Sequence, residues 1–163
     1  DADPSDDVIV EFAELYRQRM DELSATAQYY FSNEYFFNLL KNTSLIAYLR
    51  LGSKMVCAVL LLDHPHYLEY HLSAANTEAR ASGATNLIIH NIATHFCNEK
   101  NYFHLGGGNN SNIDNSLLEF KRGVTTLSGE FLIGKKVHQP EHYTQLRSLF
   151  SNQTSQRVIF YRD

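Results

Sequence analysis

The residues best suited to chemistry in this chain of 163 residues gather around one glycine run. Phe103-His104-Leu105 leads into Gly106-Gly107-Gly108, a polar loop follows, and order resumes near Ser116 before Leu118-Glu119-Phe120-Lys121. Three successive glycines are costly to order, because glycine loses more conformational freedom on folding than any other residue. They make sense where backbone must approach something closely, or where a positive φ is needed. A strand that ends in such a loop, with a lysine on the next helix, can build a site at the strand's carboxyl end. The same pattern also fits a plain surface connection. Lys121 and Arg122 in the last turn of a short helix also suit the helix dipole.

A second group is Glu69, His71 and Ser73, which alternate with Leu68, Tyr70, Leu72 and Ala74. Strand geometry puts the polar three on one face, where a carboxylate and a histidine two residues apart can relay a proton. A solvated strand face reads the same way. His104, just before the glycines, either faces a cleft or is a hydrogen-bonded structural residue. Histidine spacing offers no metal ligands: His90 and His95 fall on different helix faces, and His64-x-His66 flanks a proline. No Ser/His/Asp or Cys/His nucleophile pattern stands in a recognisable context.

The elements that must position these groups follow from periodicity. Asp3-Pro4-Ser5-Asp6 predicts a helix start with Asp as cap, and Val8, Phe12 and Leu15 continue at helical spacing. A second helix begins near Ser32 or Asn33 amid the aromatics Tyr29, Tyr30, Phe31, Tyr35, Phe36 and Phe37, which predict core packing. Leu45–Leu51 and Met55–Leu62, joined by Gly52-Ser53, predict an antiparallel hairpin. A strand from Tyr67, a polar stretch from Ala75 to Thr85 and a helix over about Ala84–Glu99 come next. In that helix Leu87, Ile88, Asn91, Ile92, His95 and Phe96 share a side. A strand over Asn101–Leu105 and a short helix opened by the capping-box pattern Ser116-x-x-Glu119 and stopped by Gly123 follow. A strand over Leu127–Val137, a helix from Pro140 with Tyr143, Leu146, Leu149 and Phe150 on one face, and a last strand over Arg157–Tyr161 complete the order. The expected fold class is α/β, a mixed and mostly antiparallel sheet with helices on both faces.

Length predicts one domain over residues 1–163. A formal net charge of −4 argues against a surface wholly adapted to nucleic acid. No apolar run reaches the length of a membrane span, and no signal-peptide pattern is present. Cys57 and Cys97 predict small buried hydrophobes in a reduced, cytoplasmic protein. The chain begins Asp1-Ala2-Asp3 without Met, the pattern of a fragment of something longer.

This order of elements resembles the GNAT acyltransferase fold. The local words His71-Leu72-Ser73-Ala74, Asn101 to Gly108, Leu118-Glu119-Phe120-Lys121, Phe131 to Lys136 and Tyr143-x-x-Leu146 are similar to its Fem-type branch. That branch comprises the aminoacyltransferases that build peptidoglycan cross-bridges, with their uncharacterised relatives. The resemblance covers about Tyr35 to Leu146. It implies transfer of an aminoacyl or acyl group to an amine, with Lys121 near the donor's reactive end. It implies an aminoacyl-tRNA as donor and an amine-bearing acceptor such as a peptidoglycan precursor. Fem-type proteins carry two tandem lobes, so it also implies a second lobe, with this chain as the C-terminal one, or else a single-lobe relative. Val124 stands where the family commonly has an aromatic. The acetyl-CoA branch of the fold carries Gln/Arg-x-x-Gly-x-Gly/Ala before the long helix. Arg80, Gly83 and Ala84 match it in part, with Thr85 in the place of the small last residue, so acetyl-CoA stands as the alternative donor. The glycines Gly106, Gly107 and Gly108 join these as donor-binding candidates. A third reading is a non-catalytic lobe that binds a peptide or a partner domain.

Overall fold

The computed structural model describes residues 1–108, 115–130 and 132–150. The chain divides into two compact units, Asp1–Thr126 and Leu127–Asp163. In the first unit, α1 (Asp6–Glu22), α2 (Asn33–Asn42), β1 (Ser44–Leu51), β2 (Lys54–Asp63), β3 (Tyr67–Ala75), α3 (Thr77–Ala81), α4 (Ala84–Phe96), β4 (Tyr102–His104) and α5 (Ser116–Arg122) follow one another. In the second unit, α6 (Pro140–Ser148) is the helix among the described residues.

The four strands lie in the order β1-β2-β3-β4. The first two pairings are antiparallel and β3–β4 is parallel, so the sheet is mixed as the α/β expectation has it. Each face carries its own apolar cluster. On one face, Ile9, Phe12 and Tyr16 of α1 and Phe36 and Leu40 of α2 pack on Ile46, Ala58 and Leu60. On the other, Ala79 of α3 and Ile88, Ile89 and Ile92 of α4 pack on Cys57, Val59, Leu61 and Leu68. Of the aromatic run, Phe36 is core and Phe31, Tyr35 and Phe37 pack against it, while Tyr29 and Tyr30 are exposed. The Phe12 and Phe36 rings meet edge to face at 5.4 Å, and Phe31 stacks on Tyr35 at 4.3 Å.

Several local expectations are corrected. Ser5, not Asp3, is the N-cap residue of α1, because Pro4 precedes the helix instead of opening it. Asn115, not Ser116, caps α5: its carboxamide oxygen accepts from the Leu118 N–H at 3.0 Å. The polar stretch before α4 folds into α3, capped by Asn76, whose side chain accepts from the Ala79 N–H. In α4 the buried side is Ile88, Ile89 and Ile92, and Leu87 is 53% exposed. Cys57 is buried as expected, but Cys97 is exposed. The described residues of Leu127–Val137 form no strand, and Leu127 and Leu132 lie 83% and 82% exposed, without the burial that drives apolar alternation into a sheet. The expected strand over Arg157–Tyr161 lies outside the described residues.

Candidate active site

The site grows from the place where β3 and β4 part. They pair through Tyr67↔Tyr102, Leu68↔Phe103 and Glu69↔His104, and there the ladder stops. β3 runs on to Ala75, while β4 ends at His104 and the chain turns at Gly106 with φ +72°. A side chain there would be strained, which accounts for the glycine. The parting leaves a crevice at the carboxyl end of two parallel strands, the ordinary place for a site in an α/β sheet.

Lys121 reaches into this crevice from α5. Its ammonium donates to the Gly107 carbonyl oxygen at 2.6 Å and lies 5.9 Å from the centre of the Tyr70 ring. Burial holds its pKa below the usual lysine range. A Cβ on Gly106 would sit 3.4 Å from the Lys121 Nζ, and one on Gly108 would sit 2.6 Å from Cγ of Asn115. The glycine run therefore has three separate duties: a left-handed turn, a carbonyl for the lysine, and clearance for the side chain that caps α5. Phe120, the residue before the lysine, packs against the α4-side cluster and anchors the helix. Tyr70 packs there too, and burial pushes its phenol up to about 12, with the Ser73 hydroxyl beside it pulling the other way.

Glu69 and His71 lie on the opposite face. A bulge accounts for this: Leu60 pairs with Leu72 and Leu61 with Tyr70, so His71 is an extra residue in β3. Before the bulge Leu68 and Tyr70 face α4; after it, Leu72 and Ala74 face α1 and α2. The expected common face of Glu69, His71 and Ser73 is thus broken, and Ser73 falls beside Tyr70. His71 Nε2 is hydrogen-bonded to the Tyr35 hydroxyl of α2 at 2.7 Å. Burial lowers the His71 pKa, and the charge of Glu69 offsets part of that. The sheet therefore separates the Lys121–Tyr70 group from the Glu69–His71 group. His104 is exposed, beside Glu69.

The turn before α4 holds the remaining candidates. Gly83 adopts φ +77° ahead of Ala84, and no heavy atom stands within 4 Å of where its Cβ would be. Its carbonyl accepts from the Leu87 N–H, so α4 begins directly behind it. Arg80 points elsewhere: it donates to the Ala75 carbonyl at 2.6 Å and to the Thr77 hydroxyl at 3.1 Å, and pairs with Glu22 at 2.9 Å. It ties α3 to the end of α1. Below the helix start, Cys57 is pushed up by burial, with Thr85 as its polar neighbour. Among the described residues no group of three His, Cys, Asp or Glu side chains is placed to hold a metal, and no helix is long and apolar enough to cross a membrane.

Tyr70, Asn115 and Tyr35 were not singled out from the sequence as site residues. Asn115 carried a signal, since an Asx residue ahead of Ser-x-x-Glu is itself a cap candidate. Tyr35 was hidden in its aromatic cluster, and Tyr70 in an alternation that the bulge interrupts.

A mixed sheet flanked by helices, with two parallel strands that part at their carboxyl ends, defines an α/β domain with its candidate site there. Over residues 1–122 the chain matches the GNAT acetyltransferase domain family, and it belongs to that family. Membership makes it an acyltransferase. The fold is shared with a ribosomal-protein-alanine N-acetyltransferase from Brucella melitensis biovar Abortus 2308, at 14% identity and TM-score 0.59, over 82% of this chain and 96% of that one. An aminoglycoside acetyltransferase from an uncultured soil metagenomic sample, in complex with sisomicin, is similar at 14% identity and TM-score 0.61, over 83% and 93%. A Trypanosoma brucei acetyltransferase is similar at 10% identity and TM-score 0.56, over 82% and 96%. No curated protein matches the chain in sequence.

Proposed function

We propose that the chain transfers an acyl group, aminoacyl in the Fem-like reading, to an amine acceptor, with Lys121 at the donor's carbonyl. The half-buried ammonium held on Gly107 supports this reading. An ammonium carries three donors, and one is spent on that carbonyl. When a neutral amine attacks an acyl carbon, negative charge grows on the carbonyl oxygen. A fixed cation with spare N–H groups in a partly dry crevice stabilises that charge more in the transition state than in the ground state. An amine-bearing peptidoglycan precursor is the acceptor that the Fem-like reading implies, aminoacyl-tRNA is its donor, and a second GNAT lobe is its natural partner. Both donors belong to the cytoplasm, in keeping with the reduced-thiol reading of Cys57 and Cys97.

A second reading, an acetyl-CoA N-acetyltransferase, is favoured by Gly83, whose left-handed turn opens α4 with nothing over its Cβ position. GNAT acetyltransferases use acetyl-CoA. Such a donor would meet the N–H groups at the start of α4, with no help from Arg80, which is tied to Glu22. Melting curves at rising acetyl-CoA concentration separate the two. A ligand that binds the folded state raises the melting temperature by mass action, about 2.7 kcal/mol of stabilisation at a hundred times its Kd. A concentration-dependent rise with acetyl-CoA selects the second reading. A flat response at millimolar CoA removes it and leaves the aminoacyl-tRNA donor. If neither donor supports transfer of label to any amine, catalysis by this chain is refuted and the non-catalytic lobe takes its place.

A further inference from the structure

The parallel pairing of β3 with β4 sets four side chains side by side on the face away from α4. Tyr67 stands beside Tyr102, and Glu69 beside His104, around a cavity of about 300 Å³. Leu68 and Phe103, between them in sequence, turn the other way into the α4-side cluster. We propose that this cavity is the seat of a positively charged amine, held by the Glu69 carboxylate and the faces of Tyr67 and Tyr102. The inference deepens the acyl-transfer reading and rests on it for one word only: the bound amine, once it has given a proton to solvent, is the acceptor.

Three observations converge. First, among the described residues Glu69 has no lysine or arginine partner of the kind its fellow strand carboxylate has. Asp63 is paired with Lys100 at 2.5 Å. Among the described residues, the one basic group within salt-bridge distance of Glu69 is the His64 imidazole, 3.7 Å away. Second, the walls are aromatic and accessible. Tyr102 is 69% exposed, a high value for a large ring on a sheet face. Tyr67 is fixed in place by stacking on His64 with ring centres 4.3 Å apart. Tyrosine faces attract an ammonium through the ring quadrupole, and a carboxylate beside them adds direct charge. An anionic or purely apolar ligand gains from neither. Third, the cavity shares its face with His71, two residues along β3 from Glu69, near enough for the Glu69 charge to bear on that imidazole. An amine seated on Glu69 thus lies next to the one histidine of this strand, close to where β3 and β4 part.

The probe is cadaverine, a flexible diamine, titrated calorimetrically into the full chain, with the neutral diol of the same length as control. The expected result is saturable binding of cadaverine and none of the diol. Glu69→Gln should weaken binding about tenfold and Tyr102→Ala several-fold, while Glu69→Asp, which keeps the charge, retains most of it. Melting curves of each variant check that the fold is intact. Lys121→Ala should bind cadaverine as the wild type does, because Lys121 lies on the other face of the sheet. Equal binding by Glu69→Gln and wild type, equal binding of the diol, or no saturable binding by wild type would each overturn the proposal. Charge-dependent binding without acyl transfer from any donor would uphold the amine seat and sink the catalytic reading.

Discussion

Lys121 is a costly residue for this fold, and that cost is a clue to its use. Burial lowers its pKa, so its protonated form is held in the crevice against desolvation. Lys121→Met should therefore leave the melting temperature unchanged or slightly raised, while transfer is lost. Differential scanning fluorimetry beside an activity assay checks both halves. The glycine run can be dissected in the same way. Gly107→Ala meets no atom within 4 Å and should be tolerated. Gly106→Ala forces a left-handed φ on an L side chain beside Nζ, and Gly108→Ala drives into Asn115; each should cost about 1–2 kcal/mol and lower activity with it. His71 gives a pH signature. Its folded pKa lies below the ordinary value of 6.5, so below pH 6.5 the unfolded chain binds the proton more readily. Stability is retained above that pH and falls on acidification through the folded pKa. His71→Gln should flatten this acid-side loss in melting curves taken across the range. Of the candidate residues, the glycines stood out because a run of three is costly to order, and Lys121 was reached through the resemblance to the Fem-type words. The contacts of Arg80 were not legible, since a phosphate-loop arginine and an arginine that ties two helices share one spelling.

At the scale of elements, α5 is the part that places the lysine, and Asn115 is what starts α5. Asn115→Ala removes the acceptor for the Leu118 N–H and should cost about 1 kcal/mol. Because Phe120 and Lys121 ride on the same seven-residue helix, activity should fall by more than that stability loss alone would give. Hydrogen exchange at the α5 amides, compared with those of β2, would show whether the damage stays local. The bulge at His71 is the element-scale feature that spacing could not reveal. Strict alternation placed Glu69, His71 and Ser73 on one face, but one extra residue in β3 sends Ser73 to the other. Nothing in Tyr67 to Ala75 marks the bulge, because it depends on the register with β2, a non-local pairing. The hairpin of β1 and β2 was legible for the opposite reason: its turn and both strands are adjacent in sequence.

For the whole first unit, the sheet is a partition. α1 and α2 cover one face, α3, α4 and α5 the other, and each has its own apolar cluster. Lys121, Tyr70 and the glycines lie with α4, and Glu69, His71 and Tyr102 lie opposite. β3 and β4 part beyond the Glu69–His104 pair. On the proposed reading donor and acceptor arrive from opposite faces of the sheet, a geometry that suits direct transfer between them without a covalent enzyme intermediate. The order of helices and strands up to α5, apart from α3, was readable from periodicity, and the resemblance of its local words pointed to the GNAT family. The stretch after Thr126 was not, since its apolar residues are exposed where the alternation implied burial.

The most direct measurement is the rate of label transfer by wild type and Lys121→Ala, given labelled acetyl-CoA or aminoacyl-tRNA and cadaverine as acceptor, with melting curves of both proteins alongside. Loss of one oxyanion-stabilising donor typically costs about a hundred- to a thousandfold in rate. A drop of that size with an unchanged melting temperature is the predicted result. Transfer by Lys121→Ala at the wild-type rate would contradict the account.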